Sequence, residues 1–505
     1  MLLLVVLTVA LALPPLSSTA PPTDSTALRN AVTVAGIMDH QEAFQAIADA
    51  NDDTRASGTP GYDASLEYVK EQLEATGYYD VAVQPFLFDA FRELATPVFQ
   101  RLSPSPRDFV ANEDFITMEY SDTGDVTGTL VATNDIVIPP GAEASTSNSG
   151  CEPSDFTPAS TTEPQVALIQ RGTCDFTVKA FNAQNAGYDA AIIFNEGQPG
   201  RQETLAGTLT ADDQSTIPVI GTSFAIGEEL YNQVNAGSVT VRVGTTTEIR
   251  RDVPTANLLA TTRTGRIDRQ VVVGAHLDSV QEGPGINDNG SGSSTILEIA
   301  LQMAELDVAP VNQVRFAWWG AEESGLIGSQ FYVDSLTKRQ VKNTAVNLNF
   351  DMVGSPNFVR FVYDGDASDT ASLASAGSGA VEDVFVDYFD SQDLASEPTA
   401  FDGRSDYDAF ISVGIPAGGL FTGAEGVKTA EEAAIYGGTA GLAYDPCYHQ
   451  ACDTIANLSS TALDQMSDAT AHATLVFAMT QSAIEGTDKG KALGHGEFNG
   501  SSLRK

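Results

Sequence analysis

Positive charge is scarce in this 505-residue chain: Lys and Arg together number 26 against 67 Asp and Glu. The formal net charge of −41 repels phosphate backbones and anionic lipid surfaces, which excludes nucleic acids and membrane surfaces as partners. The hydrophobic content of 42% excludes an intrinsically disordered chain. We therefore expect a soluble globular protein with an acidic, solvated surface, and the length predicts two or more domains.

Long apolar runs are also missing, since no segment reaches the about 20 apolar residues that a membrane-spanning helix requires. The apolar run MLLLVVLTVALAL opens the sequence and is followed by prolines and small residues, although no lysine or arginine precedes it. Such a run is typical of a signal peptide, and we assign it to residues 1–20. We accordingly expect a secreted, extracellular protein, with a vacuole-like lumen as the alternative.

Cysteine is rare, with only Cys151, Cys174, Cys447 and Cys452 in the chain. None of them forms the C-x-x-C pair of a zinc knuckle. Four cysteines allow three pairings, and pairing between sequence neighbours is the simplest in the oxidising compartment of an exported protein. We predict the disulfides Cys151–Cys174 and Cys447–Cys452.

Two patterns of hydrophobicity divide the rest of the chain. Over residues 124–250, the short apolar runs VALIQRG, AAIIFNE and IPVIGTS indicate strands, and FTVKAFNAQNAG indicates a helix, as in a small α/β module. Over residues 251–485, apolar strands such as RQVVVGA and QVRFAWWGA alternate with helices such as SSTILEIALQMAEL. This alternation predicts a doubly wound, mixed but mostly parallel sheet flanked by helices. Residues 486–505 have the composition of a flexible tail.

The stretch GAHLDSVQEGPGINDNGSG, residues 274–292, is the first candidate for chemistry. Its glycines do not match the dinucleotide-binding fingerprint or an EF-hand loop. They have the spacing of a P-loop, but the lysine of that motif is missing here. His276 ends a buried strand, Asp278 is placed to orient its imidazole, and the glycines allow Asp288 to return to the same point. A metal site and an ordinary polar loop are both compatible with this stretch alone.

Acidic side chains and a second histidine follow at the ends of further strands. The paired Glu322 and Glu323 come directly after QVRFAWW, Asp351 follows AVNLNF, and His449 lies between Cys447 and Cys452. Each has an ordinary structural explanation as a helix cap, a turn residue or a surface histidine. Their coincidence at the carboxyl ends of one sheet, where α/β proteins bind ligands, favours a site.

Five of these residues are nitrogen or oxygen ligands: His276, Asp288, Glu323, Asp351 and His449. Two Zn²⁺ ions with three protein ligands each need six contacts, which five residues provide if one carboxylate bridges. Paired ions with a bridging carboxylate are a known hydrolytic arrangement. Glu322 then remains as a general base for a metal-bound water.

The sequence resembles the M28 family of zinc peptidases, in particular its secreted bacterial and fungal vacuolar aminopeptidases. The matching motifs are AHLDS, GPGINDNGSG, WGAEESGLIGS, NFDMVG, GRSDYDAF and CYHQACDT, together with RASGTPGYDASLEYV near the beginning. The resemblance implies the zinc exopeptidase fold, with residues 21–123 and 251–485 forming the peptidase domain. It also implies the following roles: Asp288 bridges two zinc ions, His276 and Asp351 bind one, Glu323 and His449 bind the other, Glu322 is the base, Tyr448 stabilises the oxyanion, and Asp402 and Arg404 line the substrate site.

The module at 124–250 resembles a protease-associated (PA) domain, on the stretch QVALIQRGTCDFTVKAFNAQNAGYDAAIIFNE. This resemblance implies an insertion that shapes access or binds proteins or peptides, or else only stabilises the enzyme. The function expected is removal of the N-terminal residue from peptides and proteins. The alternatives are an M28-like carboxypeptidase, a glutaminyl cyclase, or a PA/M28-like binding protein without activity.

Overall fold

The computed structural model describes residues 23–142, 144–198, 201–209 and 215–480. The predicted signal peptide at residues 1–20 and the predicted tail at residues 486–505 lie outside these residues. Among the described residues, every helix is too short or too polar to cross a bilayer.

Helices and strands alternate along most of the described chain. The helices are α1 (Thr26–Ala31), α2 (Val34–Asp49), α3 (Pro60–Thr76), α4 (Phe176–Asn185), α5 (Phe224–Ala236), α6 (Gly290–Glu305), α7 (Ile327–Ser335), α8 (Lys338–Asn343), α9 (Gly379–Ser391), α10 (Tyr407–Ser412), α11 (Ala430–Tyr436) and α12 (Ser460–Met479). The strands are β1 (Tyr79–Ser103), β2 (Arg107–Asp108), β3 (Phe115–Thr117), β4 (Gly124–Ala132), β5 (Gln165–Gln170), β6 (Ala190–Phe194), β7 (Val219–Thr222), β8 (Thr240–Thr262), β9 (Arg266–His276), β10 (Asn312–Trp319), β11 (Thr344–Phe350), β12 (Phe361–Tyr363), β13 (Glu397–Thr399) and β14 (Ala417–Phe421).

The larger part of the sheet has the strand order β13-β12-β14-β11-β9-β10-β8, with β1 paired to the outer side of β8. The four central strands β14, β11, β9 and β10 are parallel, whereas β8 runs antiparallel to β10, and β12 runs antiparallel to β14 but parallel to β13. This arrangement confirms the predicted mixed, mostly parallel sheet. It brings the carboxyl ends of the four central strands to one edge.

Helices cover both faces of this sheet. The main core packs α2, α3, α6, α9 and α12 against one face, and a smaller core packs α7 and α10 against the other. The neighbours Trp318 and Trp319 in β10 belong to the two different cores, because successive side chains of a strand point to opposite faces. Both are fully buried, at the apolar end FAWW of a strand that begins with the polar residues Asn312 and Gln313.

The smaller module is built from β3 to β7, the helices α4 and α5, and the far ends of β1 and β8. These two strands form one long antiparallel ribbon, paired from Tyr79 opposite Thr262 to Ser103 opposite Thr240 and interrupted by shifts of register from Phe88 onward. Strand β8 pairs with β10 near one end and with β4 near the other, so a single ribbon belongs to both parts of the molecule. The alternating apolar pattern of VAVQPFLF, residues 81–88, predicts a strand, but this strand covers only the beginning of β1.

Helix α6 brings its N-terminus close to the carboxyl ends of β9 and β11. The side chain of Asn289 caps the helix by accepting the N–H of Gly292, at 2.9 Å. A Cβ atom at Gly292 would lie 2.2 Å from the carbonyl oxygen of Phe350 at the end of β11. Gly285, with φ +58°, makes the turn that leads into this cap. Glycine at these two positions thus allows the loop after β9 to lie directly above the sheet edge.

Candidate active site

Three of the predicted site residues extend from the ends of neighbouring parallel strands. His276 is the last residue of β9, Asp351 follows β11 directly, and Glu322 lies three residues beyond β10. The side chains of these residues are buried or nearly so. Parallel strands end at a common edge, and for this reason residues far apart in sequence meet here.

Asp288 lies between the two histidines. Its Oδ1 is 3.2 Å from Nε2 of His276, and its Oδ2 is 3.2 Å from Nε2 of His449. The same His276 nitrogen lies 3.2 Å from Asp351, and the same His449 nitrogen lies 3.0 Å from Glu323. The five predicted ligands are therefore in one cluster with the Asp288 carboxylate at its centre.

Asp278 contacts the second ring nitrogen of His276 mainly through its backbone. The Nδ1 atom of His276 is 3.0 Å from the backbone carbonyl of Asp278, whereas the Asp278 carboxylate is 3.6 Å away. That carboxylate instead accepts the backbone N–H of Glu322, at 3.3 Å. The carbonyl contact orients the ring so that Nε2 faces Asp288 and Asp351, and the carboxylate positions the loop that carries Glu322.

Glu322 lies near His276 but farther from it than Asp288 and Asp351 do. Its Oε2 lies 4.0 Å from Nε2 of His276. Burial raises its pKa well above the ordinary value, and the negative charges of Asp406, Asp351 and Glu323 add to this effect. Burial likewise raises the pKa of Glu323 to about 7. For the two histidines, burial opposes the charged form, but the surrounding carboxylates outweigh it and raise their pKa values.

Buried side chains that the sequence reasoning did not single out support these ligands. Ser405 donates its hydroxyl to Oδ2 of Asp351, at 2.7 Å. Asp453 accepts the backbone N–H groups of Asn287 and Asp288, each at 3.0 Å. Both residues lie inside the motifs GRSDYDAF and CYHQACDT, but their spacing from the ligands in sequence gives no indication of these contacts.

The loop with His449 is closed by the Cys447–Cys452 disulfide, and the structure also contains the predicted Cys151–Cys174 disulfide. His449 has a φ of +55°, a left-handed conformation that is costly for a residue with a Cβ atom. Tyr448 stacks on its ring, with centroids 3.8 Å apart. The disulfide thus restricts a short loop in which His449 has a left-handed backbone conformation that a histidine does not favour.

The remaining predicted residues lie on the open side of the cluster. Arg404 donates to the hydroxyl of Tyr448, at 3.1 Å, and forms an ion pair of 2.8 Å with Glu425, which the sequence reasoning missed. Asp402 accepts the backbone N–H of Arg404 and the hydroxyl of Tyr407. One cavity joins this group to the ligands, and its lining is His276, Asp288, Glu322, Glu323, Asp351, Met352, Tyr363, Thr399, Ala400, Asp402, Arg404, Ser405, Phe421, Ala424, Tyr448 and His449.

The cluster fits divalent metal ions. Ligating atoms within 4.8 Å of one another occur in the groups His276–Asp288–Glu323 and His276–Glu322–Asp351. Ligands bound tetrahedrally at 2.0–2.1 Å lie roughly 3.3 Å apart, close to the separations of 3.0–3.2 Å between the histidines and their carboxylate neighbours. Buried Oε1 of Glu323 has no hydrogen-bond partner among the described residues. Several buried carboxylates this close together call for compensating positive charge.

Comparison with known proteins gives a consistent result. The family profile "Peptidase family M28" matches residues 257–474, and "PA domain" matches residues 126–230. The chain is 43% identical over 459 residues to an aminopeptidase of Pseudomonas aeruginosa, which covers 91% of this chain and 83% of that protein. It is 39% identical over 453 residues to leucine aminopeptidase 2 of Arthroderma otae, covering 89% and 85%.

Among solved structures, the fold is similar to that of an aminopeptidase from Aneurinibacillus sp. strain AM-1. The TM-score is 0.67 at 24% sequence identity, and the match covers 89% of this chain and 95% of that one. The sequence relatives span nearly the whole chain, and the two family profiles match its two parts. The chain therefore belongs to peptidase family M28, as an aminopeptidase with an inserted PA domain.

Proposed function

We propose that the chain is a secreted aminopeptidase that binds two zinc ions and hydrolyses the N-terminal residue from peptides and proteins. The observation that carries this proposal is the position of Asp288, with one carboxylate oxygen 3.2 Å from each of the two histidine Nε2 atoms. In the proposed arrangement His276, Asp351 and Asp288 hold one ion, and His449, Glu323 and Asp288 hold the other. When bound, such an ion pair lowers the pKa of water and polarises a carbonyl group.

Glu322 is the general base in this proposal. Its carboxylate, 4.0 Å from the His276 nitrogen, is farther from it than the proposed ligands Asp288 and Asp351 are. A carboxylate at this place can accept a proton from the attacking water and pass it to the leaving amine. The backbone N–H of Glu322 donates to Asp278, so its loop is fixed relative to His276.

Tyr448 and Arg404 would stabilise the oxyanion that forms when the scissile carbonyl is attacked. The Tyr448 hydroxyl accepts an N–H from Arg404, which leaves the phenolic proton to be donated toward the cavity. Burial raises the pKa of Tyr448 well above its ordinary value, so the phenol keeps its proton at neutral pH. The Arg404 guanidinium adds positive charge on the same side, and Glu425 holds it there.

The cavity also supports a preference for an apolar N-terminal residue. Met352, Tyr363, Phe421 and Ala424 contribute apolar surface to its lining. The carboxylates that line the cavity favour the positively charged α-amino group of a peptide, which suits an aminopeptidase. Leucine aminopeptidase 2 of Arthroderma otae, a relative at 39% identity, has a name consistent with this preference.

The direct test is hydrolysis of leucyl anilide by the purified chain, with and without a chelator, followed by the addition of zinc. We expect activity that the chelator abolishes and zinc restores, and no hydrolysis of N-acetyl-leucyl anilide. Cleavage of only the N-blocked substrate would refute the proposal. Glutaminyl and C-terminal peptide substrates in the same panel test the cyclase and carboxypeptidase alternatives, and zinc analysis tests the inactive binding protein.

Glu322→Gln separates catalysis from metal binding. The amide keeps the shape of the side chain but does not accept a proton, so we expect the zinc content of the wild type and a kcat lower by at least about 10²–10⁴-fold. Zinc content by elemental analysis and kcat on leucyl anilide are the two measurements. A kcat within a few-fold of the wild type would exclude Glu322 as the base.

Secretion is supported by the apolar N-terminal run and by the two disulfides, which persist in oxidising compartments. We expect expression of residues 1–505 in a secreting host to release a protein cleaved near Ala20. N-terminal sequencing of the released protein checks this, and retention of the uncleaved chain in the cells would contradict it.

A further inference from the structure

Arg55 is a fully buried residue in the segment between α2 and α3. All three nitrogens of its guanidinium donate to backbone carbonyls: Nε to Pro284 at 2.8 Å, Nη1 to Leu277 at 2.6 Å, and Nη2 to Gly285 at 2.6 Å. Its side chain also packs over the ring of Phe44, at 4.9 Å. A planar fork of donors in a fixed geometry thus holds three points of one loop.

The three carbonyls lie between the two residues that share the first proposed ion. Leu277 follows His276 directly, and Gly285 precedes Asp288 by three residues. The carbonyl of Gly285 also accepts the N–H of Gly290, the first residue of α6, at 2.9 Å. One guanidinium therefore connects the end of β9 to the turn that places Asp288.

Neighbours of Arg55 contact the same region. Its own backbone N–H donates to the hydroxyl of Ser279, at 3.0 Å, and the hydroxyl of Thr54 donates to the carbonyl of Val280, at 3.0 Å. The hydroxyl of Ser57 accepts the N–H of Ala321, next to Glu322, at 2.7 Å. The segment 54–57 thus lies against both the loop of the ligands and the loop of the base, and it precedes the part of the chain that the M28 profile matches.

The positively charged guanidinium of Arg55 is buried. Its three hydrogen-bond partners are backbone carbonyls, so none of them is a carboxylate. Such a charge is costly unless other charges compensate for it. Burial lowers the pKa of Arg55 to about 10, while the carboxylates of Asp278, Asp453, Asp288 and Glu323 counteract this decrease. Arg55 consequently stays positive at neutral pH behind the carboxylate cluster.

We propose that Arg55 is a positioning residue, which sets the separation of His276 and Asp288 and thereby the affinity of the site for zinc. It lines no part of the substrate cavity, so its effect on the reaction passes through the two ligands. The inference rests on the proposed function only in taking zinc as the ion that this site binds.

The experiment compares Arg55→Met and Arg55→Lys with the wild type in the full chain. A matched control is Arg360→Met, which removes another buried arginine that donates to a backbone carbonyl, that of Ala395 at 2.7 Å, away from the cluster. Zinc affinity is measured by competition with a chelator, kcat and KM are measured on leucyl anilide at a fixed zinc concentration, and Tm is measured without metal.

For Arg55→Met we expect zinc affinity to fall by about 10- to 100-fold, as for other residues that orient metal ligands, with kcat reduced and KM nearly unchanged. Lysine keeps the charge but not the planar fork, so Arg55→Lys should lie between Arg55→Met and the wild type. Arg360→Met should lower Tm and leave the zinc affinity unchanged.

A zinc affinity of Arg55→Met equal to that of the wild type would overturn the proposal, and so would an equal loss in Arg360→Met. If Arg55→Met does not fold, Arg55→Lys decides: a weakened zinc affinity supports the proposal, and a wild-type affinity overturns it. If the wild type binds zinc but does not hydrolyse leucyl anilide, the proposed function fails, while the comparison of zinc affinities still tests Arg55.

Discussion

At the scale of single residues, Asp288 differs from the other proposed ligands because it contacts both histidines. Asp351 contacts only His276 of the two, and Glu323 contacts only His449. Removing Asp288 takes one ligand from each proposed ion, whereas removing Asp351 affects one ion. The two carboxylates are therefore not equivalent: Asp288 lies in the glycine-rich loop after β9, whereas Asp351 directly follows the apolar strand β11.

This difference predicts the zinc content of two alanine variants. In Asp351→Ala we expect about one ion per chain, and in Asp288→Ala clearly less, because each remaining pair of ligands is short of the three protein ligands typical of such sites. Elemental analysis after dialysis against a weak chelator gives both values. Equal zinc content in the two variants would contradict a bridging role for Asp288, and far-UV circular dichroism controls for folding.

At the scale of structural elements, the strand ends could be predicted and the contacts between distant segments could not. The apolar runs before His276, Glu322 and Asp351 identify β9, β10 and β11, and parallel neighbours must end at one edge. Arg55 contacts a loop more than 200 residues away, and no periodicity in the sequence encodes such a pairing. The length of β1 was missed for the same reason, since its second half is defined by pairing with β8.

The Cys447–Cys452 loop leads to a prediction about the two disulfides. Replacing both of its cysteines by serine removes a short closed loop, worth about 2 kcal/mol of unfolding free energy on chain entropy, and frees the strained His449. We expect a fall in kcat of about tenfold or more with a small decrease in Tm. Kinetics on leucyl anilide and thermal unfolding are the measurements.

The Cys151–Cys174 pair is the matched control, because it closes a longer loop with a sequence separation of 23 in the PA domain. Its replacement by serine should cost more stability, about 3 kcal/mol or somewhat above, with kcat nearly unchanged. A loss of kcat in this control equal to that in the Cys447 and Cys452 variant would show that the loop around His449 has no special role.

At the scale of the whole molecule, the excess of negative charge acts on stability. Like charges repel more in the compact state than in the unfolded chain, and dissolved salt screens this repulsion over a Debye length of about 10 Å at 0.1 M. The net charge of −41 makes this term large. The same charge repels nucleic acids.

We expect the Tm of the metal-free protein to rise by several degrees between about 10 mM and 300 mM sodium chloride, because this range shortens the Debye length severalfold. Differential scanning fluorimetry with sodium chloride measures this shift. Potassium chloride at the same ionic strength is the control, and an effect specific to one cation would indicate ion binding instead of screening.

The ribbon of β1 and β8 also has a consequence for how this enzyme can be engineered. The PA domain enters through one strand and leaves through its direct neighbour, with Phe88 paired to Val253 near the border of the peptidase sheet. Its two ends therefore meet as the two arms of a hairpin do, and a short turn can join them without changing the order of the other strands. We therefore expect that a homologous PA domain can replace this one at the border without changing the peptidase sheet.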